Sequence, residues 1–222
     1  ELTNDIDLIW RNIDPLLKNM HLEATVCELA DVAGAENFII NLQEAELPAY
    51  LHYHNIDHVR DVTEAAMRNA NESELKDEER MLLRTAALYH DSGFTISSRN
   101  HEEHGCTIAR ESLPRFGYST EQIDAICSMI MATKVPQTPK TKLEKILCDA
   151  DLDYLGREDF YDVGRRLYAE MQERGLVETE REWNLIQKTF LENHRYHTVW
   201  AQQHREIKKQ EYLQEIYQKL KR

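Results

Sequence analysis

A chain of 222 residues suits one domain, or one with a small appendage, and buries enough surface to need no disulfide staples. Only 7 Gly and 5 Pro, set against abundant Glu, Leu, Ala, Lys and Arg, point to helices and argue against a sandwich or barrel. Lys and Arg number 27 and Asp and Glu 40, so the net charge is −13; that field repels phosphate backbones and anionic lipid and leaves no nucleic acid or membrane as an expected partner. A local basic spot or a bound metal can still draw in a small anion.

In chain order, Ile6, Leu8, Ile9, Trp10, Ile13, Leu16 and Leu17 have helical spacing, with Pro15 kinking or ending the turn. A second helix runs through Leu22, Val26 and Leu29 and breaks near Gly34, and a third covers Phe38 to Leu47, stopped by Pro48. Helices are predicted over 56–70, 77–90 (the most apolar), 101–113, 120–133, 142–155, 158–174, 179–193 and 197–221. No strand pattern, repeat or Pro/Gly/Ser linker interrupts them, so one all-α domain over residues 1–222 is the simplest reading. Cys27, Cys106, Cys127 and Cys148 form no CxxC pair and read as reduced core thiols. No apolar run reaches the roughly 18 residues of a membrane span, and no signal-peptide core is present. A cytoplasmic location is the expectation.

Four pieces of sequence carry chemistry. His54 and His58, in Tyr53-His54-Asn55-Ile56-Asp57-His58, are four apart and share a face if a helix begins there. His90-Asp91 ends the most apolar helix, which puts two ligand side chains at the floor of a cleft. Asp149-Ala150-Asp151-Leu152-Asp153 follows the apolar pair Ile146-Leu147, and His101-Glu102-Glu103-His104 opens another helix. Imidazole with carboxylate is the ligand mix of Zn, Fe, Mn or Ni sites, and it leaves a divalent ion enough Lewis acidity to bring a water's pKa toward neutrality. Such a site needs no Ser or Cys nucleophile, and the chain has no GxSxG, GxxxxGK[ST] or HExxH motif.

The order His58, His90-Asp91, Asp151 resembles the HD superfamily of metal-dependent phosphohydrolases. The resemblance covers about residues 48–155, through Tyr53-His54-Asn55-x-x-His58, Ala86-Ala87-Leu88-Tyr89-His90-Asp91-Ser92-Gly93-Phe94 and Leu147-Cys148-Asp149-Ala150-Asp151-Leu152. It implies an all-α HD-domain helical bundle, with additional N-terminal helices (1–47) and C-terminal helices (156–222) packed on the core. It also implies a divalent metal ion (Mn, Fe, Co, Ni, Zn or Mg) held by His58, His90, Asp91 and Asp151, with Asp149 orienting the site from behind. The Tyr-His-Asn-x-x-His stretch is similar to the opening signature of cyclic-nucleotide phosphodiesterases, and carries to His54 the role of the acid that protonates the leaving oxygen. The similarity lapses at Ser92-Gly93-Phe94, where those enzymes continue with a further His and Asn.

Members with two metals, including diiron oxygenases of this fold, add two more His between the HD pair and the last Asp. His101 matches the first; the second should fall near 131–134, where the chain has Met131-Ala132-Thr133-Lys134. His101 is thus a ligand for a weaker second metal, shared through Asp91, or a substrate contact, and Lys134 is a point charge for a substrate phosphate. The expected activity is hydrolysis of a phosphomonoester or phosphodiester, of a nucleotide or similar small molecule. A diiron oxygenase and a nucleotide-binding sensor without turnover are the rivals. His194-Arg195-Tyr196-His197 and Trp200 read as the packing of a C-terminal hairpin. The stripe Leu213, Ile216, Tyr217, Leu220 either docks on the domain or pairs with a second copy in a homo-oligomer.

Overall fold

The computed structural model describes residues 30–221, of which residues 31 onward form one compact unit. The helices expected before residue 30, and Cys27, lie outside the described residues. Ten α-helices and three short 3-10 turns make up the described fold, which is all-α. They are α1 Val32–Glu46, α2 Ile56–Asn71, α3 Asp77–Tyr89, α4 His101–Ser112, α5 Thr120–Ala132, α6 Lys142–Asp151, α7 Phe160–Glu173, α8 Glu180–Asn193, α9 Val199–His204 and α10 Glu206–Leu220. No described helix is long and apolar enough to cross a membrane.

Helix α3 is the axis of the bundle. Leu82, Leu83, Ala86, Ala87, Leu88 and Tyr89 are buried along it, and α1, α2, α5 and α6 pack around it. Its charged residues sit in the first turn and at Arg84, which pairs with Glu36, while the apolar residues of its C-terminal half are enclosed. Its caps are supplied locally: Glu79 reaches back to the Lys76 N–H, and its first turn carries Asp77, Glu78 and Glu79 against the positive end of the dipole.

Three boundaries differ from the sequence reading. Helix α1 starts at Val32 and runs through Gly34 without a break, because the Asp31 side chain accepts the Gly34 N–H at 2.8 Å and caps the first turn. The segment predicted as one helix over 142–155 stops at Asp151, and a 3-10 turn follows at Asp153–Gly156. That turn buries Asp153 where Arg68 and Arg205 each reach it, at 2.8 and 2.7 Å. The last predicted helix is broken at Arg205, whose guanidinium is held by Asp153 while its backbone passes so close to Gly156 that a Cβ there would sit 2.3 Å from the Arg205 carbonyl oxygen.

The C-terminal helices meet the bundle through one aromatic-rich cluster, in which Tyr53, Leu152 and Tyr154 pack with Phe160, Leu191, Tyr196, Tyr212 and Ile216. The stripe on α10 supplies Leu213 and Ile216 to this cluster, with Tyr217 and Leu220 packed at its edge. Tyr196 also donates to the Leu152 carbonyl, and Trp200 lies under the guanidinium of Arg205 at 4.9 Å. Arg195 donates to the carbonyls of Glu192 and His194.

His194 is buried beneath this layer beside the ammonium of Lys209, with His197 and Arg195 also facing it. Burial, reinforced by these positive neighbours, pushes its pKa down to about 3. The unfolded chain binds a proton at this residue below about pH 6.5 and the folded chain does not. Stability is therefore full above that pH and drains away as the pH falls toward 3, by roughly 3–5 kcal/mol at the acid end. Acid titration followed by circular dichroism is expected to show a His194→Gln variant losing less stability between pH 6.5 and 4 than the parent.

Candidate metal centre

The ligand helices are aimed by their ends. Asn55 caps α2, its Oδ1 accepting the N–H groups of Asp57 (2.9 Å) and His58 (3.3 Å) while its Nδ2 donates to the His52 carbonyl. The cap fixes the first turn, and His58 projects from it into the interior. His90 is the residue at which α3 ends, and Asp91 begins the 3-10 turn Ser92–Thr95. Helix α4 starts from Asn100, whose left-handed backbone (φ 56°) an Asn tolerates, and this places His101 at the first helical position. Asp151 is the last residue of α6.

These four helix ends converge. His58 Nε2 and His90 Nε2 are 3.4 Å apart. Asp151 Oδ1 lies 3.3 Å from the first and 3.6 Å from the second. Asp91 Oδ2 lies 3.4 and 3.3 Å from the same two nitrogens. His58, His90 and Asp151 present donor atoms that are all within 4.8 Å of one another. Spacings near 3.4 Å are those of atoms sharing an ion through bonds of about 2.0–2.2 Å. His90 Nδ1 is 2.8 Å from the Ala87 carbonyl, to which it donates, so Nε2 carries the lone pair a metal needs.

Asp91 Oδ2 is buried and has no hydrogen-bond partner among the described residues. A lone buried carboxylate oxygen is costly without a cation or donor. The donor set and this orphaned oxygen together fit a divalent ion. Burial alone would disfavour charge on His90, but the carboxylates of Asp91 and Asp151 outweigh it and push the imidazole well above its ordinary value. Burial would likewise raise Asp151, yet the two imidazoles hold its carboxyl down at about 2. The carboxylates are thus ionised across the physiological range, as ligands must be.

His54 stands beside this group. Its ring stacks on Phe94 (centroids 4.4 Å apart), and Phe94 stacks in turn on His101 (4.1 Å), so one phenyl ring spaces the two imidazoles. Its Nδ1 is 2.6 Å from Glu170 Oε1, and Glu170 Oε2 also accepts the backbone N–H groups of Tyr53 and His54, each at 3.1 Å. Glu170 comes from α7, outside the motif-bearing segment, and is fully buried. Nothing in the sequence marks it: of its neighbours at helical spacing, Leu167 is apolar and Arg166, Glu173 and Arg174 are charged. Burial works against the His54 imidazolium, and Glu170 together with Asp91 more than offsets it, raising the pKa.

His101 Nε2 is 3.5 Å from Asp91 Oδ1 and 3.4 Å from Glu102 Oε1, so Asp91 offers one oxygen to the histidine pair and the other to His101. Asp149 accepts the backbone N–H groups of His197 (2.8 Å) and Thr198 (2.7 Å) and thereby orients the chain entering α9. Lys134 Nζ pairs with exposed Glu103 at 2.5 Å, and its neighbours Thr133 and Val135, not Lys134 itself, line the cavity in front of the ligands. An exposed pair of this kind is screened by solvent and adds little to stability. Steady-state kinetics of Lys134→Ala are therefore expected to stay within about threefold of the parent, and a hundredfold loss would return the lysine to the site.

Gly93 sets the close approach of the turn after Asp91 to α4. A Cβ there would lie 1.9 Å from the His101 carbonyl oxygen and 2.7 Å from the Gly105 nitrogen. Both are backbone atoms, so neither can swing away. Gly93→Ala is expected to cost about 3 kcal/mol or more. For a chain of this size that lowers Tm by roughly 6–12 °C, read by thermal denaturation.

A family model described as HD domain matches residues 55–153. No curated protein and no solved structure matches the chain. The matched segment contains His58, His90, Asp91 and Asp151, so residues 55–153 are similar to an HD domain, consistent with the HD-domain superfamily of metal-dependent phosphohydrolases.

Proposed function

We propose that the protein hydrolyses a phosphate ester, with His58, His90, Asp91 and Asp151 holding a divalent ion and His54 acting as the general acid. The observation that carries this reading is the pairing of a buried, partnerless Asp91 oxygen among two imidazoles with a separate histidine beside them that is held by a buried carboxylate. A bound divalent ion supplies Lewis acidity toward phosphoryl oxygens and an acidified water as nucleophile. The chain's own contribution is to hold the proton. Glu170 occupies His54 Nδ1, which leaves Nε2 to face the cavity that His54 lines. As the phosphorus–oxygen bond to the leaving group breaks, that N–H gives its proton to the departing oxygen, and the bond from water to phosphorus forms.

A second ion has support of its own, in the split use of Asp91 between His90 and His101 with buried Glu102 alongside. It favours a dinuclear form of the same hydrolase. The further histidine of the diiron oxygenases has no counterpart: Thr133 donates to the Ile130 carbonyl and Lys134 pairs with Glu103.

The test is elemental analysis of the purified protein, followed by phosphate release from a panel of monoesters and diesters with Mn, Co, Ni and Mg supplied in turn. The reading expects one to two ions per chain and turnover with at least one ion. A blank panel from fully loaded protein overturns it, and favours the sensor if nucleotides bind, or the oxygenase if ferrous protein consumes oxygen.

A further inference from the structure

The ligands open onto a cavity of about 270 Å³, and most of its wall comes from outside the family segment. Helices α7 and α8 contribute Phe160, Leu167, Met171, Trp183, Ile186 and Phe190. Among the described residues no Lys or Arg lines it, while Asp91, Glu102 and Asp151 gather at its metal end. Gln187 adds a neutral amide to the α8 wall. A polyphosphate chain needs cations along its length, and a carboxylated or otherwise charged body would be desolvated against aromatic rings with nothing to pair it. An uncharged apolar body gains from the same wall.

We infer that the substrate is a phosphate ester with a single phosphoryl group and an uncharged, largely apolar organic body, of about one to two aromatic rings. The inference rests on the phosphohydrolase reading for the placement of the phosphoryl group at the ligands. The size follows from volume, since an apolar cavity of about 150 Å³ accepts benzene and this one is nearly twice as large. The charge rule follows from the lining, and it narrows the nucleotide expectation, because beyond the imidazoles at the metal end a nucleoside triphosphate meets no Lys or Arg here.

Phe190 also borders a second cavity of about 250 Å³, which shares Val135 and Leu152 with the first. The phenyl ring is thus part of the partition between the two spaces. Removing it lengthens the room available to the organic body, and this gives the inference a test that a loss of folding cannot imitate.

The experiment uses the full chain loaded with Mn. Calorimetry with methyl-, butyl-, hexyl- and octylphosphonate reads binding without turnover, and the matching alkyl phosphates read hydrolysis. Affinity is expected to rise three- to fourfold per added methylene until the cavity is full. A terminal carboxylate on the hexyl chain should weaken binding at least tenfold. Phe190→Ala should move the best chain length upward, and an Ile186→Ala variant, at the more exposed part of the wall, serves as the companion if the first folds poorly. Affinity independent of chain length, or tighter binding of the carboxylated chain, overturns the inference even if every ester is hydrolysed. Chain-length-dependent binding with no ester hydrolysed under any metal overturns the phosphohydrolase reading and leaves the apolar ligand standing.

Discussion

Replacing Asp91 by Ala is expected to remove both the metal and at least about a thousandfold of the hydrolysis. The metal's share in stabilising charge as the phosphoryl group departs amounts to several kcal/mol, and each 1.4 kcal/mol is a factor of ten in rate. Asp91 bridges the three histidines of the centre: Oδ2 faces His58 and His90, and Oδ1 faces His101. Removing it leaves two buried imidazoles with half their negative partners, so a divalent cation loses a ligand and a neutralising charge together. Because burial and Asp91 act in opposite directions on His90, loss of the carboxylate also lets the ring's pKa fall. A lower pKa favours the neutral ring, which is the metal-binding form, so loss of metal reports on the carboxylate itself. Metal content by mass spectrometry should drop from about one ion per chain to a small fraction, with the helical circular dichroism unchanged. Asp91→Asn, which keeps the shape, should lose nearly as much. A variant that keeps its metal and its turnover would mean that the ion sits elsewhere.

The convergence of His58, His90, Asp91 and Asp151 was legible in the sequence through the family resemblance, because each of them sits in its own local motif at a helix end. His90-Asp91 follows a run of buried apolar residues at the end of its helix, and Asp151 was singled out over Asp149 by its match to the family pattern. What could not be read were pairings between distant residues of ordinary type. Glu170 is one of 40 acidic residues and lies 116 positions from the histidine it holds. Lys134 sits near where two-metal relatives carry a further His, and its charge read as a phosphate contact; only the packing of α4 against the end of α5 reveals that Glu103 takes that charge. Phe94 read as part of a motif, but its place between two imidazoles depends on where α4 begins, which is set by a left-handed Asn100. The apolar cavity was equally hidden, since its wall is the inner face of α7 and α8, and amphipathic helices of this kind advertise burial without saying against what.

Glu170→Gln tests whether that hidden carboxylate serves catalysis. Glutamine keeps the length of the side chain and one acceptor for the Tyr53 and His54 N–H groups, but removes the charge 2.6 Å from the imidazole. Glu170 is a positioning residue: it fixes which nitrogen of His54 faces the cavity and favours the protonated ring. General acid catalysis contributes about 10²–10⁴ in rate, so a tenfold to hundredfold fall in kcat is expected for an alkyl ester. The sign of the pH effect follows from the acid's role. If His54 is the acid, turnover needs it protonated and falls as the pH rises through its pKa; without Glu170 that pKa drops, so the alkaline limb of the rate profile should move to lower pH. A leaving group as acidic as nitrophenol needs little protonation, and its ester should lose less than about threefold. A purely structural role for Glu170 would lower both esters alike and leave the limb where it was, and that result would take His54 out of the proton transfer.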